Sequence, residues 1–425
     1  MRHRVRWLAM HGFVRAVSRL LARRGDPQGR LIADPAVRAD PVSFTEELRA
    51  RGPLVRCAAV HITVDHGIAG EVLRSDDFRV LAMGSNLPKP LQWIVNHTQT
   101  GLLHPLEPPS MLSVEPPEHT RYRKTVSSVF TSRAVAALKD RVQETADGLL
   151  ERLDGEGTVD IVERYCSQLP VAIISDILGV PEQDRPRVLE FGELGAPSLD
   201  IGLSWSQYRS VYRGIEGFND WLAGHLDHLR RHPGDDLMSQ LIVASDNGVR
   251  LNHRELMATA GLVLAAGFET TVNLLGNGIR MLLDHPEHLE TLAEHPELWP
   301  TAVEEILRLD PPVQLTARMA LRAGEVVICY IAGANRDPKV FADPHRLDLH
   351  RANAGRHLSF SGGRHFCLGA ALARAEGEAG LRAFFEHFPN ARLAGDGSRR
   401  PTRVLRGWAS LPIELGSRKP AVVRP

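Results

Sequence analysis

Cys367 lies in a segment that could hold a metal ion. The segment runs Phe360-Ser-Gly-Gly-Arg-His-Phe-Cys-Leu-Gly-Ala370, and a strong helical run from Ala371 to Phe385 follows at once. The cysteine therefore precedes a helix N-terminus, where the positive end of the helix and free backbone N–H groups favour the thiolate, the form that binds metals or acts as a nucleophile. The three glycines of the segment remove side chains on both flanks, so a flat ligand could approach closely.

A second group of chemically capable residues interrupts an apolar helical run from about Glu255 to Leu283. It reads Ala266-Gly-Phe-Glu-Thr-Thr271, and buried hydroxyls and carboxylates cost on the order of a few kcal/mol each when they are unpaired. Thr270 can bond to the carbonyl of Ala266 one turn earlier, which opens the helix locally and could make room for dioxygen and a water. The alternative is that Glu269 and Thr271 simply face solvent.

Two further pairs have helical spacing. Glu305 and Arg308 are three residues apart, so they share a helix face and can form an ion pair. His119 and Arg123 are four apart on one predicted helical face and could grip an anionic group, although a surface-charge interpretation stays open for this pair.

Together these segments resemble the cytochrome P450 family. The family's haem-binding signature is Phe-x-x-Gly-x-Arg/His-x-Cys-x-Gly, and the residues that match it are Phe360, Gly363, His365, Cys367 and Gly369. Ser361 stands where many members carry glycine. The resemblance implies that the thiolate of Cys367 ligates the iron of haem b. By the same match, His365 would approach a haem propionate and Phe360 would shield the sulfur.

The same resemblance assigns roles to the other segments. The Ala266–Thr271 segment resembles the helix that crosses the distal face of the haem, so Ala266 and Gly267 would border the cofactor. Thr270 would be the hydroxyl that assists oxygen activation, and Glu269 the acid that relays protons.

Three residues match positions that hold the haem propionates in the family: His119, Arg123 and Arg318. Three others match a buried Glu-Arg-Arg network that supports the proximal side without doing chemistry: Glu305, Arg308 and Arg346. The segment from Arg406 to Pro412 resembles the C-terminal turn that lines the substrate pocket.

The chain departs from the family's pattern just after Arg318. Relatives usually carry a β-hairpin before the sequence that corresponds to Ala323-Gly324-Glu325, and this chain lacks it. We expect the loss to distort Arg318, to loosen the sheet beside the pocket or to leave an exposed strand edge, and to lower stability.

The elements that position these residues are mostly helical. The chain has 425 residues, is 43% hydrophobic and contains no internal repeat or long linker, which favours a single domain over residues 1–425 with a sizeable core. Helical patterns dominate residues 120–311, and short β-rich runs occur at 54–64, 326–331 and 404–415. The predicted fold class is mainly α with small β-sheets, and the resemblance implies the cytochrome P450 fold, a helix-rich triangular prism.

The overall charge limits the partners. Fifty-one Lys and Arg residues cancel 51 Asp and Glu residues, which excludes a general attraction to nucleic acid or to an anionic membrane, so any charged partner must bind a local patch. The remaining cysteines, Cys57, Cys166 and Cys329, are widely spaced and are expected to be inert core residues in a reducing, cytoplasmic compartment.

Residues 1–25 are predicted to form a basic amphipathic helix. Its apolar stripe consists of Trp7, Met10, Val14, Val17 and Leu21. Its opposite side carries Arg15, Arg19 and Arg23. Such a helix can lie on an anionic membrane as a peripheral contact, or its stripe can pack on the protein's own body or on a second subunit. No small-residue cleavage site follows an uncharged core, and Arg15 and Arg19 interrupt the apolar stretch, so the segment is neither a clear signal peptide nor a membrane span.

The resemblance implies a haem-thiolate monooxygenase that hydroxylates a lipophilic small molecule with dioxygen. The chain has no Gly-x-Gly-x-x-Gly fingerprint and no room for a flavin domain, so electrons from NAD(P)H would arrive only through a separate ferredoxin and ferredoxin reductase. Arg356, Arg364 and Arg374 could receive an acidic ferredoxin, or they could form an ordinary solvated rim.

Two alternatives to this function stay open. One is a peroxide-driven haem-thiolate oxidase, and the other is a haem-binding or sensing protein with little turnover. Two irregular, partly apolar stretches, residues 80–117 and 194–205, and the turn at Trp408 would define the substrate, although both stretches could be solvent-covering loops. Their apolar character suggests a lipid-like, terpenoid or polyketide molecule.

Overall fold

The computed structural model describes residues 2–84, 87–246 and 251–416. Helices form most of this part of the chain, and the strands are few and short. The α-helices are α1 Arg2–Trp7, α2 Phe13–Arg23, α3 Pro27–Ala33, α4 Pro35–Ala39, α5 Pro41–Ala50, α6 His66–Arg74, α7 Lys89–His97, α8 Glu118–Val126, α9 Ser132–Glu151, α10 Gln168–Leu178, α11 Arg185–Gly195, α12 Trp205–Arg231, α13 Leu237–Asp246, α14 His253–Leu283, α15 Pro286–Glu294, α16 Trp299–Leu309, α17 Ile331–Ala334 and α18 Ala370–His387. The strands are β1 Val55–Arg56, β2 His61–Thr63, β3 Phe78–Val80, β4 Thr158–Asp160, β5 Leu315–Ala320, β6 Val326–Tyr330, β7 Arg392–Leu393, β8 Ser398–Arg399, β9 Trp408–Ser410 and β10 Pro412–Glu414.

Helix α14 is the central element of the core. Its first residue is preceded by Asn252, whose side chain accepts from the N–H of Glu255 while the Glu255 side chain accepts from the N–H of Asn252, a capping box that fixes the helix start. The helix is long and apolar enough to span a membrane, but 78% of its most apolar window is buried inside the protein. It is therefore a core helix, and it packs against α10, α12, α16 and α18.

The largest sheet has five strands in the order β1-β2-β6-β5-β3. Strands β5 and β6 are antiparallel neighbours, with Leu315 opposite Tyr330 and Met319 opposite Val326. They are joined directly by residues 321–325, with no strand between them, as the sequence indicates. The expected exposed edge does not form at β5, because β3 pairs with its other side. The remaining strands form two smaller sheets, β4-β10-β7 and β8-β9.

The amino-terminal helix packs on the body of the protein. A π-helical turn at Leu8–Gly12 joins α1 to α2. Met10 is buried, and the buried Arg6 donates from Nε to the hydroxyl of Tyr212 on α12 at 3.0 Å. The predicted stripe could have contacted a membrane, the protein's own body or a second subunit. At Met10 it packs on the protein's own body.

The predicted register of this helix is wrong in two places. Val17, assigned to the packed stripe, is 36% exposed. Arg15, assigned to the solvent side, turns inward and donates to the carbonyl of Gly202 at 2.8 Å. The π turn explains the difference, because its wider turn shifts the helical phase of every residue that follows it.

Candidate functional site

The backbone before α18 presents Cys367. Residues Gly363–His365 form a single 3-10 turn, after which the N–H of Cys367 donates to the carbonyl of Phe360 at 2.9 Å. Gly363 has φ of +63°, and a Cβ there would lie 2.7 Å from the carbonyl oxygen of Leu73. Glycine is therefore required at this position for both conformational and steric reasons.

The electrostatics of Cys367 differ from the expectation at one point. Burial raises the pKa of its thiol above the usual value, while the N–H of Gly369 and the guanidinium groups of Arg123 and Arg374 act in the opposite direction. The helix terminus therefore does not produce a thiolate by itself. A bound metal cation is the additional positive charge that deprotonates such a thiol.

Two histidines and two arginines gather beside this segment. The rings of His119 and His365 have centroids 4.3 Å apart, and His119 is buried. Arg318 on β5 is also buried, and its guanidinium donates to the hydroxyl of Thr316 and the carbonyl of Ala317. The fourth member is Arg123 of α8, on the same helix as His119. Of the four residues predicted to hold the propionates, two thus have buried side chains, His119 on α8 and Arg318 on β5.

This cluster is short of negative charge. Burial lowers the pKa of Arg318 and of Arg123, and in the described part of the chain neither guanidinium lies within ion-pair distance of a carboxylate. Burial also lowers the pKa of His365 to about 4, and its buried Nε2 makes no hydrogen bond. Glu115 is the nearest acid, 3.5 Å from that nitrogen, and it already pairs with Arg364 at 2.9 Å.

The same residues fit a flat dianionic cofactor such as haem. The guanidinium groups of Arg123 and Arg318, which lack a carboxylate partner in the described ranges, and the unsatisfied Nε2 of His365 are donors that two carboxylates would satisfy. A Cβ built on Gly369 would meet no atom within 4 Å, so the surface beside the cysteine is open there. Ala265 and Ala266 are exposed in the middle of the otherwise buried α14. A cavity therefore borders this helix.

Thr270 lies one turn after those alanines. Its hydroxyl donates to the carbonyl of Ala266 at 3.0 Å, as expected from the sequence. Thr271 makes the equivalent bond to Gly267, and its side chain is buried rather than solvent-facing. Gly267 serves packing, since a Cβ there would lie 2.8 Å from Ile174 on α10.

Glu269 is buried and has a partner that the sequence did not suggest. Its Oε1 accepts from Nη1 of Arg400 at 2.5 Å, in the connection between β8 and β9. Burial raises the pKa of Glu269 to about 7, and Glu193 also raises it, while Arg400 and Asn273 lower it. This carboxyl can therefore gain or lose a proton near neutral pH.

The predicted buried network forms with a different third member. Arg308 donates from Nε and Nη2 to the two carboxylate oxygens of Glu305 at 2.6 and 2.9 Å, and both side chains have no exposed surface. The prediction of Arg346 is wrong, because its side chain is exposed and only its carbonyl accepts from Arg308. Arg351 takes its place, with Nε 3.1 Å from Oε1 of Glu305. Sequence order alone could not choose between two arginines five residues apart in a loop.

Four arginines tie the C-terminal hairpin, which consists of β8, β9 and the connection between them, to distant elements. Arg399 and Arg406 each donate to Asp310, which follows α16, at 3.0 Å. The carboxylate of Asp200 accepts from the backbone N–H groups of Arg403 and Val404, which fixes the connection between α11 and α12 against this hairpin. Asp200 and Arg400 were not identified from the sequence, because their partners lie about 200 and 130 residues away.

The arginines predicted to receive a ferredoxin are mostly engaged within the chain. Arg364 pairs with Glu115 and Asp76, and Arg374 pairs with Glu304. Arg356 is exposed. Phe366, next to the cysteine, is 41% exposed and adds an apolar contact to this side of the protein.

Known proteins resemble this chain along nearly its whole length. Residues 294–396 match the family model described as Cytochrome P450. The chain is 65% identical over 430 residues to the putative cytochrome P450 140 of Mycobacterium tuberculosis, with 98% of each chain covered. It is 41% identical over 322 residues to the 6-deoxyerythronolide B hydroxylase of Saccharopolyspora erythraea, which covers 72% of this chain and 78% of that one. The ligand-free structure of CYP164A2 from Mycobacterium smegmatis superposes with a TM-score of 0.81 at 34% identity, covering 90% of this chain and 97% of that one.

Proposed function

Since the chain belongs to the cytochrome P450 family and is a monooxygenase, we propose that it hydroxylates a lipophilic small molecule with dioxygen and with electrons from a separate ferredoxin and ferredoxin reductase. The observation that carries the proposal is the cluster of His119, Arg123, Arg318 and His365 beside Cys367. It combines two guanidinium groups that have no carboxylate partner in the described part of the chain, two histidines beside them, and a cysteine whose burial disfavours a free thiolate.

These residues would hold haem b. Cys367 would ligate the haem iron, and the two arginines and two histidines would bind the propionates. Phe360, Gly363 and Gly369 would shape the proximal side, and Ala266 and Gly267 the distal side. When bound, the haem supplies the oxygen-activating and redox chemistry that no side chain of the protein provides.

The distal residues would manage protons. The hydroxyl of Thr270 donates its hydrogen bond to the carbonyl of Ala266. The lone pairs of Oγ1 would therefore be free to accept a hydrogen bond from a water in the cavity. Glu269, with a pKa of about 7, would take a proton from solvent and pass it inward, while Arg400 holds its carboxylate in one orientation.

The substrate would be apolar and of the size of a lipid, terpenoid or polyketide. The connection between α11 and α12 and the hairpin turn would line its pocket, since the Asp200 carboxylate joins these two segments. The name of the Saccharopolyspora erythraea relative, a 6-deoxyerythronolide B hydroxylase, supports a polyketide-like molecule.

Electrons would enter near Phe366. The acidic ferredoxin would meet Arg356 and the apolar surface of Phe366, because Arg364 and Arg374 are already paired with carboxylates of the chain. Exchanging Arg356 for Gln should slow the reduction by ferredoxin without changing reduction by dithionite. Equal slowing by both reductants would contradict this assignment.

Turnover experiments test the function against its alternatives. The purified haem-loaded protein should show the thiolate-type absorbance of the ferrous carbon monoxide complex, and Cys367→Ser should lose it. After a ligand library has identified compounds that shift the spin state, product formation should require ferredoxin, ferredoxin reductase and NAD(P)H. Product with hydrogen peroxide alone would favour a peroxide-driven oxidase, and ligand binding without product in either assay would favour a haem-binding sensor.

Thr270→Ala provides a separate check on the distal side. The variant should keep ligand binding and the carbon monoxide spectrum but should divert reducing equivalents to peroxide, because the water next to Oγ1 loses its partner. Unchanged coupling would remove Thr270 from proton delivery.

The protein would work in the cytoplasm, with peripheral membrane contact through residues 1–25.

A further inference from the structure

One face of the amino-terminal helices leaves a row of large apolar side chains in water. We call it the outer face, and its members are Val5, Leu8, Phe13, Val17 and Leu20, which are 38%, 56%, 43%, 36% and 50% exposed. It shares only Val17 with the stripe that the sequence predicted, of which Met10 is buried in the protein. A contiguous exposed apolar row of this kind marks an interaction surface.

The π turn at Leu8–Gly12 creates this face. In an uninterrupted α-helix, Val5 and Phe13 would point in different directions, because eight residues exceed two turns of about 3.6 residues each. The wider turn adds one residue to the helical count and returns Phe13 and Leu20 to the side of Val5.

The charge around the outer face has one sign. Residues 1–25 contain seven arginines and no Asp or Glu, although the whole chain has a net charge of zero. Five of these arginines are exposed and make no ion pair within the described ranges: Arg2, Arg4, Arg19, Arg23 and Arg24. Apolar side chains flanked by cationic ones match the interface of an anionic lipid bilayer, which offers hydrocarbon beneath negatively charged headgroups.

The inner side of these helices is anchored, so the outer face is held in place. Trp7 donates from Nε1 to the carbonyl of Leu203 at 3.0 Å, and the N–H of Leu203 donates to Nδ1 of His11 at 3.2 Å. Arg15 adds its bond to the carbonyl of Gly202. All three contacts are to the connection between α11 and α12, residues 196–204.

We propose that the outer face binds the surface of an anionic lipid bilayer. The α11–α12 connection lies directly behind the outer face, against the inner side of the helices. A lipophilic substrate would then reach the pocket from the lipid, a consequence that rests on the proposed function, whereas the binding itself does not.

Vesicle sedimentation tests this with the full-length, haem-loaded protein. We expect at least about a tenfold larger bound fraction on vesicles of equal parts phosphatidylglycerol and phosphatidylcholine than on phosphatidylcholine alone, and loss of binding at high salt. A triple variant, Leu8→Gln, Phe13→Gln and Leu20→Gln, should remove the binding while keeping a helix-forming residue at each position. Arg19→Gln with Arg23→Gln should weaken it.

Leu54→Gln and Leu321→Gln are the matched controls, because these leucines are 43% and 53% exposed outside the amino-terminal helices. Their binding should equal that of the wild type. The proposal is overturned if the wild type binds neither vesicle, binds both equally, or binds as well after the triple exchange. It is also overturned if the wild type self-associates through this face, seen as a dimer that the triple variant loses, without binding lipid. The carbon monoxide spectrum, recorded on every variant, separates these outcomes from failure of the haem assignment.

Discussion

Glu269 and Arg400 form a buried ion pair that joins the central helix to the C-terminal hairpin. Their side chains are 7% and 12% exposed, and Arg400 also donates to the carbonyl of Trp408 at 3.2 Å. The acid next to Thr270 therefore has a fixed partner. Its protonation depends on a residue 131 positions later in the chain.

Removing Arg400 should shift the pH dependence of coupling. Arg400 lowers the pKa of Glu269, so in Arg400→Gln the pKa should rise above its present value of about 7 and the carboxyl should stay protonated to higher pH. We expect the midpoint in a plot of peroxide released per NAD(P)H against pH to move upward by about one unit or more. The measurement requires a ligand that shifts the spin state and reconstituted redox partners.

Arg399→Gln is the control for this experiment. Arg399 is the adjacent arginine, but it donates to Asp310 and Asn277 and makes no bond to Glu269. The Arg399→Gln variant should be less stable than the wild type, but the midpoint of its pH profile should not move. Arg400→Lys should keep most of the wild-type profile, because lysine retains the positive charge. An identical pH profile in Arg400→Gln and the wild type would show that the protonation of Glu269 does not control how much peroxide is released.

Arg351 should matter far more to stability than Arg346. Exchanging Arg351 for Ala removes a cation from a carboxylate with no exposed surface and also leaves the carbonyl of Ala342 without its donor. Breaking a buried pair of this kind costs about 3–5 kcal/mol of the free energy of unfolding. Arg346→Ala should change it by less than about 0.5 kcal/mol. Urea unfolding followed by circular dichroism compares them, and equal losses would refute the reassignment.

Ser361→Gly should stabilise the protein. Ser361 has φ of +62°, a left-handed conformation that costs a non-glycine residue about 1–2 kcal/mol, and its buried hydroxyl makes no hydrogen bond. Glycine also makes the unfolded chain more flexible, which offsets part of this effect. We therefore expect the free energy of unfolding, measured in urea, to rise by about 1 kcal/mol. Ser359→Gly should instead destabilise, since its hydroxyl donates to the carbonyl of Leu307. A loss at both positions would contradict the strain argument.

Glu376 should make the protein less stable as the pH rises. It is 1% exposed on α18, and burial raises its pKa from 4.5 to about 8, with Thr271 acting in the opposite direction. Below about pH 4.5 the carboxyl is protonated in both the folded and the unfolded protein, so it does not change the free energy of unfolding. Between about pH 4.5 and pH 8 only the unfolded chain releases the proton, so the free energy of unfolding falls as the pH rises.

Glu376→Gln removes this loss. The variant should match the wild type near pH 4 and exceed its free energy of unfolding by a few kcal/mol near pH 8, in proportion to the pKa difference. Glu378→Gln on the same helix is the control and should leave the pH dependence unchanged. A variant that gains nothing at pH 8 would show that the carboxyl ionises without cost in the folded protein.

Local patterns predicted much of this fold because their causes are local. The start of α14 lies within two residues of the predicted one, and α18 spans Ala370–His387 against a prediction of 371–385. Glu305 and Arg308 pair because helical spacing alone places them together. The 3-10 turn and the φ of Gly363 likewise fit a signature whose glycines are close in sequence.

The rest depended on contacts between distant segments. Five strands, β3, β4, β5, β7 and β8, were missed, because they are two to six residues long and gain stability only from partners elsewhere. The partner of Glu269 and the choice of Arg351 over Arg346 were set by tertiary packing. The π turn changed which apolar residues of the first helix are exposed, and the predicted stripe assumed a uniform α-helical period.

The C-terminal hairpin has a consequence for synthesis on the ribosome. Asp200, Glu269 and Asp310 are at most partly accessible carboxylates, and in the described part of the chain their ion-pair partners all lie between residues 399 and 406. Until that stretch has left the exit tunnel, these three acids lack the ion-pair partners that they have in the folded protein. The nascent chain can build its helices early, but closure of the pocket waits for its final residues.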